Sequence, residues 1–132
     1  YIASGASQHA FAMAGLTRSD VDVSELYDPF SFEIIRQLEA YGFCGDGEGS
    51  AFVMDGNIDP GGTLPVNTDG GLLSFSHGGG SVQGTQRIVR AVQQLQGSCA
   101  TRQVDGADVA LTSYGGGGGL CIGVLLLGSE RP

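Results

Sequence analysis

The side chains best suited to chemistry in this sequence are His77, Tyr27 and Tyr114, each next to glycine or at an element boundary. His77 lies in Ser76-His77-Gly78-Gly79-Gly80, just ahead of a helical pattern that begins at Ser81. The positive end of a helix disfavours an imidazolium and so favours a neutral ring. A neutral histidine can act as a base or polarise a carbonyl. It can equally be a loop histidine bonded to a nearby carbonyl. Gly78 and Gly79 leave the backbone open to close approach by a ligand.

Tyr27 opens Tyr27-Asp28-Pro29-Phe30 at a strand-to-helix junction, where a phenol can donate a hydrogen bond to a developing oxyanion. Asp28 reads better as a helix cap. Tyr114 precedes five glycines, Gly115 to Gly119. A hairpin alone does not need such a run. The N–H groups of Gly115 and Gly116 are candidates for an oxyanion hole, against the alternative of a tight, flexible connection. Asn67-Thr68-Asp69-Gly70-Gly71 favours turns with positive φ, which structure alone could explain, and Asn67 is kept as a substrate-loop candidate.

The three cysteines, Cys44, Cys99 and Cys121, form no CxxC pair and have no histidine at zinc spacing, so no metal site is expected. Cys121 sits in the apolar run Leu120-Cys121-Ile122 and is expected to be buried and inert. Neither Cys44 nor Cys99 has a basic neighbour in sequence, so neither is expected to be an activated thiol. No nucleophile is evident. The odd cysteine count fits a reducing compartment, and a cytoplasmic location is expected.

These groups need elements to hold them. Gln8 to Leu16 reads as an amphipathic helix offering Phe11, Met13, Ala14 and Leu16 for burial. Thr17-Arg18-Ser19-Asp20 reads as a capped turn. Val21, Val23 and Leu26 suggest a short strand ending near Tyr27. Pro29 stands where a helix would begin, and Phe30, Ile34, Ile35, Leu38 and Tyr41 follow helical spacing to a C-cap at Gly42. Residues 45–80 are rich in Gly, Asp and Asn, with a short strand expected at Ala51 to Met54. Ser81 to Leu95 returns to helix with Ile88, Val89, Val92 and Leu95 on one face, and Gly97 ends it. Val109 to Leu111 and Leu120 to Leu127 read as strands, the second apolar enough to be buried on both faces. This order predicts an α/β domain, a sheet covered by helices.

The chain has 132 residues, enough for one domain with its own core, and at 41% hydrophobic and 15% charged it has a folded composition. Six basic and 14 acidic residues leave a net charge of −8, which argues against nucleic acid as a partner. No apolar run is long enough to span a membrane. The sequence opens Tyr1-Ile2-Ala3 without Met and enters a helical pattern at once, as expected of a piece of a longer chain.

Several ordered motifs carry a resemblance. Ser24-Glu25-Leu26-Tyr27-Asp28-Pro29-Phe30, Leu38-Glu39-Ala40-Tyr41-Gly42-Phe43-Cys44, Gly61-Gly62-Thr63-Leu64-Pro65-Val66-Asn67-Thr68-Asp69-Gly70-Gly71, the His77 loop, Gln94-Leu95-Gln96-Gly97 and Arg102-Gln103-Val104 together resemble the C-terminal half of sterol-carrier-protein-type thiolases. The match runs from about residue 5 to 128.

The resemblance implies one half of the layered αβαβα thiolase fold, with a mixed sheet. An absent N-terminal half would supply the acyl-accepting cysteine. His77 matches the histidine that helps activate that cysteine and polarise the thioester. Tyr27 falls where related thiolases place Asn or His. Where many thiolases carry a second cysteine, this chain has Ser113-Tyr114-Gly115 at one position and Pro29 at the other, and the usual His-Pro-Gly is His77-Gly78-Gly79.

The resemblance therefore implies an acyltransferase acting on C–C bonds of coenzyme A thioesters, with CoA thioester as substrate and no covalent cofactor. One alternative is a retro-aldolase that cleaves a steroid-type side-chain CoA thioester, uses tyrosines for proton transfer and binds a small zinc-ribbon/OB-fold partner. Another is a non-catalytic acyl-CoA or lipid-binding protein of the lipid-transfer kind. A homodimer is implied, and no turnover is expected of this segment alone.

Overall fold

The computed structural model describes residues 2–75, 82–116 and 121–130. The first helix, α1, spans Ile2–Ala14 and stops at Gly15, which takes a left-handed φ of 67°. It starts earlier than its pattern suggests. Ala3, Ser7 and Phe11, at i, i+4 and i+8, form its buried stripe. Met13, expected inside, is 76% exposed because it falls on the opposite side of that stripe.

The turn that follows is a short 3₁₀ segment, Arg18–Asp20, with a capping box in which Thr17 and Asp20 satisfy each other. Strand β1, Val23–Glu25, is fully buried. Helix α2 runs Phe32–Tyr41 and ends at Gly42 with φ 81°, as expected. It begins three residues after Pro29, so Phe30 lies outside it and is 62% exposed rather than on the buried face. Leu38 and Tyr41 are fully buried. Each such apolar side chain removed from water contributes roughly 1.5–3 kcal/mol before entropy is counted.

The expected strand at Ala51 to Met54 is instead helix α3, Gly49–Met54. A short apolar run has no period long enough to separate the two states. Here the carboxylate of Glu39 on α2 accepts the Gly49 N–H at 3.0 Å and starts the turn. A five-residue helix, α4 (Gly71–Phe75), has no counterpart in the sequence pattern. Helix α5 spans Val82–Leu95, close to expectation.

Its orientation is not as expected. Arg87, Ala91 and Gln94 face inward, while Val89 is 49% exposed and Val92 is also exposed. Apolar periodicity assumes that polar side chains seek water. Arg87 and Gln94 instead find buried partners. A second 3₁₀ turn, Ala100–Arg102, leads to β2, Val109–Gly116, and then β3, Cys121–Gly128.

The sheet order is β1-β2-β3, with β1 parallel to β2 and β2 antiparallel to β3. Residues 65–67 run beside β1, where the Ser24 N–H donates to Pro65 O at 3.0 Å and the Asn67 N–H to Ser24 O at 2.9 Å. One face of the sheet packs against α1 and α2 around Phe11, Leu26, Leu38 and Leu111. The other packs against α5 around Val23, Ala91 and Ala110. This is the expected mixed sheet covered by helices. Strand β3 packs on both faces, but not along its whole length. Ile122, Val124 and Leu126 pack toward α1 and Leu127 toward the Ala91 cluster, whereas Leu125 is exposed. Among the described residues, no helix is long and apolar enough to cross a membrane.

Candidate active site

Strands β1 and β2 run the same way, so their carboxyl ends open at one edge, the usual place for a ligand in such sheets. The register pairs Glu25 with Thr112. Beyond the last pair, the Tyr27 backbone stays beside β2 at Ser113, while the Tyr114 ring lies over Gly123 of β3. The backbone there is held by a small polar knot. Ser113 Oγ accepts the Tyr27 N–H at 2.9 Å and donates to Gln37 Oε1 at 2.5 Å. Gln37 Nε2 returns to Tyr27 O at 2.6 Å, and the Tyr41 hydroxyl donates to Gln37 Oε1 at 3.1 Å. Burial pushes the Tyr41 phenol up to about 12, so it stays a donor at neutral pH.

Both sides of the Tyr27 peptide are thus anchored, to β2 and to α2. Sequence reasoning missed Ser113 and Gln37. The available signal was Gln37 itself, a polar residue within the stripe Ile34, Leu38, Tyr41. Tyr27 is half-buried, and Tyr114 is 46% exposed.

Asp28 is a cap, but not of α2. Its Oδ1 accepts the Leu72 N–H at 2.8 Å and so caps α4, 44 residues on. Gly71 makes this possible: its φ is 66°, and a Cβ there would fall on Asp28 Oδ2. Burial pushes the Asp28 carboxyl up, against the bonds from Leu72, Leu73 and Asn67. Asn67, φ 50°, is turned so that its Oδ1 accepts the Leu26 N–H at 2.6 Å. Asn67 therefore fixes the end of β1. Helix α4 leads into the segment that carries His77, Gly78 and Gly79. Those three lie outside the described residues, as do Gly117 to Gly119 and the Cys121 side chain. Gly115 and Gly116 are described as the last residues of β2, paired with Ile122 and Cys121, so they belong to a regular ladder.

Beneath this edge lies a charged core that the sequence did not reveal. Arg87 Nη1 donates to Glu25 Oε2 and to Asp69 Oδ1, and its Nη2 to Asp69 Oδ2, each at 2.9 Å. Thr68 donates to Glu25 Oε1 through N–H and hydroxyl, at 3.1 and 2.7 Å. The same hydroxyl accepts from Arg90 at 2.9 Å and from Gln94 at 2.8 Å. The 67–71 segment is thereby bound to β1 and α5.

Burial draws Asp69 up, but the Arg87 bonds, the Gly71 N–H and the charges of Arg87 and Arg90 outweigh it and hold the carboxyl low. Burial pushes the Glu25 carboxyl from 4.5 up to about 7, against Thr68 and Arg87. A carboxyl raised on folding binds its proton more tightly in the folded state. Its contribution to stability is complete below about pH 4.5 and is lost as pH rises through about 7. Glu25→Gln does not titrate. Thermal melts from pH 5 to 8 should therefore show the difference between variant and wild type moving in the variant's favour as pH rises. A difference independent of pH would contradict the raised carboxyl.

Two glycines surround Tyr114. A Cβ on Gly84 of α5 would lie 2.9 Å from Tyr114 Cβ, and one on Gly123 of β3 would fall on the ring at Cζ. Glycine inside a helix is less stable than alanine by roughly 0.5–1 kcal/mol, and it weakens a strand interior as well.

Burial raises the Cys44 and Cys99 thiols, so neither is poised as a nucleophile. Among the described residues, no cluster of His, Cys, Asp or Glu could hold a metal ion.

A family model described as thiolase C-terminal domain-like matches residues 2–129. This chain belongs to that family. The thiolase-like domain is 37% identical over 124 residues to the steroid side-chain-cleaving aldolase of Thermomonospora curvata, covering 94% of this chain and 30% of that protein. Over 107 residues it is 40% identical to the 17-hydroxy-3-oxo-4-pregnene-20-carboxyl-CoA lyase of Mycobacterium tuberculosis, covering 81% and 26%. A solved Ltp2-ChsH2(DUF35) aldolase matches with a TM-score of 0.83 and 33% identity, covering 98% of this chain and 32% of that one. The thiolase-like domain thus spans about a third or less of these relatives. The resemblance drawn from its motifs and the α/β fold both hold.

Proposed function

We propose that this domain, 1–132, is the C-terminal part of an enzyme that works on a C–C bond of a coenzyme A thioester, and that it supplies tyrosine acid–base groups for a retro-aldol cleavage. The observation that supports the proposal is Tyr27 just beyond the carboxyl end of β1, its backbone N–H bonded to Ser113 of β2, the residue before Tyr114. The relatives named as an aldolase and a CoA lyase support the same reaction class.

In that reaction a base takes the proton of the β-hydroxyl, and the oxygen lone pair forms a carbonyl. The Cα–Cβ bond breaks and its electrons pass to an enolate on the thioester side. A proton then returns to the α-carbon, giving a carbonyl product and a shortened CoA ester. One phenol carries the hydroxyl proton, and the other donates to the enolate oxygen.

A second reading, acyl transfer with His77 as the activating base, rests on the retained histidine of the family pattern and a cysteine from the N-terminal remainder of the protein. The substrate-loop roles of Asn67, Gly78, Gly79, Gly115 and Gly116 belong to the proposal in either case. So do a homodimer, a cytoplasmic location and a small zinc-ribbon/OB-fold partner subunit. The double name of the solved aldolase supports a partner.

The test uses the full-length protein. It is offered a CoA ester with a tertiary β-hydroxyl and, separately, a 3-ketoacyl-CoA plus free CoA. Release of a ketone and a shorter CoA ester without uptake of CoA is expected. CoA-dependent cleavage through a trapped acyl-enzyme would replace the first reading by the second. Binding without turnover of either ester, with and without the partner, would leave only a carrier role.

A further inference from the structure

We propose that Gly84 and Gly123 are positioning residues that seat Tyr114, and that their missing Cβ atoms determine where its phenol oxygen is presented. The proposal rests on the catalytic reading of Tyr114 given above. Gly123 faces Tyr114 directly in the antiparallel ladder, and the ring lies back across it. Among the described residues, the nearest atoms that a Cβ on Gly123 would meet are Tyr114 Cζ, Cε1 and the hydroxyl oxygen. From the other side, the nearest atoms to a Cβ on Gly84 are Tyr114 Cβ at 2.9 Å, Cγ at 3.4 Å and Cδ1 at 4.0 Å. One glycine accommodates the root of the side chain and the other its tip.

Neither glycine has a left-handed φ, so neither is required by its own backbone. Each stands inside a regular element that would be better formed without it: Gly84 in α5, Gly123 in β3. A local rule broken twice around one side chain indicates a gain at that side chain. A phenylalanine-sized surface could be covered without such a slot. An exposed phenol whose oxygen must stand at one point could not, because a side chain free to rotate about χ1 places that oxygen over several ångströms.

Gly123→Ala and Gly84→Ala are made in the full-length enzyme. Each is also made with 3-fluorotyrosine at position 114, so that ¹⁹F NMR reports the ring. The expected result is a shifted ¹⁹F resonance in both variants. For Gly123→Ala, kcat should fall on the order of 10²-fold with KM little changed, since about 1 Å of misplacement suffices for such a loss. Gly84→Ala, with the milder overlap, should lose less. Tyr114→Phe combined with Gly123→Ala should be no slower than Tyr114→Phe alone, because both remove the same contribution.

If Gly123→Ala does not fold, Gly84→Ala carries the test, since alanine suits a helix. Unmoved resonances, or wild-type kcat with moved ones, would overturn the positioning role. So would multiplicative losses in the double variant. If Tyr114→Phe turns over normally while the resonances still shift, the slot is real and it is the catalytic reading of Tyr114 that fails.

Discussion

Tyr27→Phe in the full-length enzyme should lower kcat by 10²–10³-fold or more, with KM for the CoA ester nearly unchanged. Loss of one donor to a developing oxyanion accounts for about 10²–10³-fold. Loss of the group that carries the proton goes further, because the step then lacks its acid–base group. Removing a single oxygen leaves the ring, and the anchors at Tyr27 N–H and O do not involve the hydroxyl. The two backbone anchors therefore stay in place, and a melting temperature measured alongside separates a lost chemical step from a loosened fold. Steady-state kinetics with a tertiary β-hydroxyacyl-CoA, alongside a direct binding measurement, separates the outcomes. A loss in kcat with retained binding places Tyr27 in the transition state. Turnover within a few-fold of wild type would make it a packing residue and remove the main support for the retro-aldol reading.

Arg87→Met should destabilise the domain by about 3–5 kcal/mol, the usual result of removing one partner from a buried ion pair. Arg87 and Glu25 are almost wholly excluded from solvent, and Asp69 is largely so. Without the guanidinium, the Glu25 and Asp69 carboxylates lose the fork that joins them, and the nearby positive charge is that of Arg90 on Thr68. Glu25, already raised to about 7, would take up a proton and soften the loss. Arg87→Lys should recover only part of it, since one ammonium cannot reproduce the fork that reaches both Asp69 oxygens and Glu25. Arg87→Met combined with Glu25→Gln should be less unstable than the sum of the two changes. Chemical denaturation at pH 7 measures all three. A cost below about 1 kcal/mol for Arg87→Met would mean that the triad does not hold the 67–71 segment. Because that segment carries Asn67, which bonds the Leu26 N–H, loosening it should also reduce turnover.

The sequence by itself determined the class of fold, most element positions and the residues around which a site could be built. Helix α5, the Gly42 cap and the Thr17–Asp20 box depend on neighbours within four residues or on φ at one position, and such signals are legible in a single chain. Tyr27 could be marked because it follows an apolar strand at a junction, and Tyr114 because five glycines follow it. Which groups meet depends on contacts between distant parts of the chain. Asp28 caps a helix 44 residues away, and Arg87 reaches a carboxylate 62 residues upstream. The buried side of α5 carries Arg87 and Gln94 beside Ala91 and Leu95, because Glu25, Asp69 and Thr68 lie where they can bond those two polar groups. Residues 51–54 are helical because Glu39 starts their first turn from another element. Local propensity is set by covalent neighbours. Partners for buried charge and for helix ends are set by where the chain returns, and that depends on every element at once.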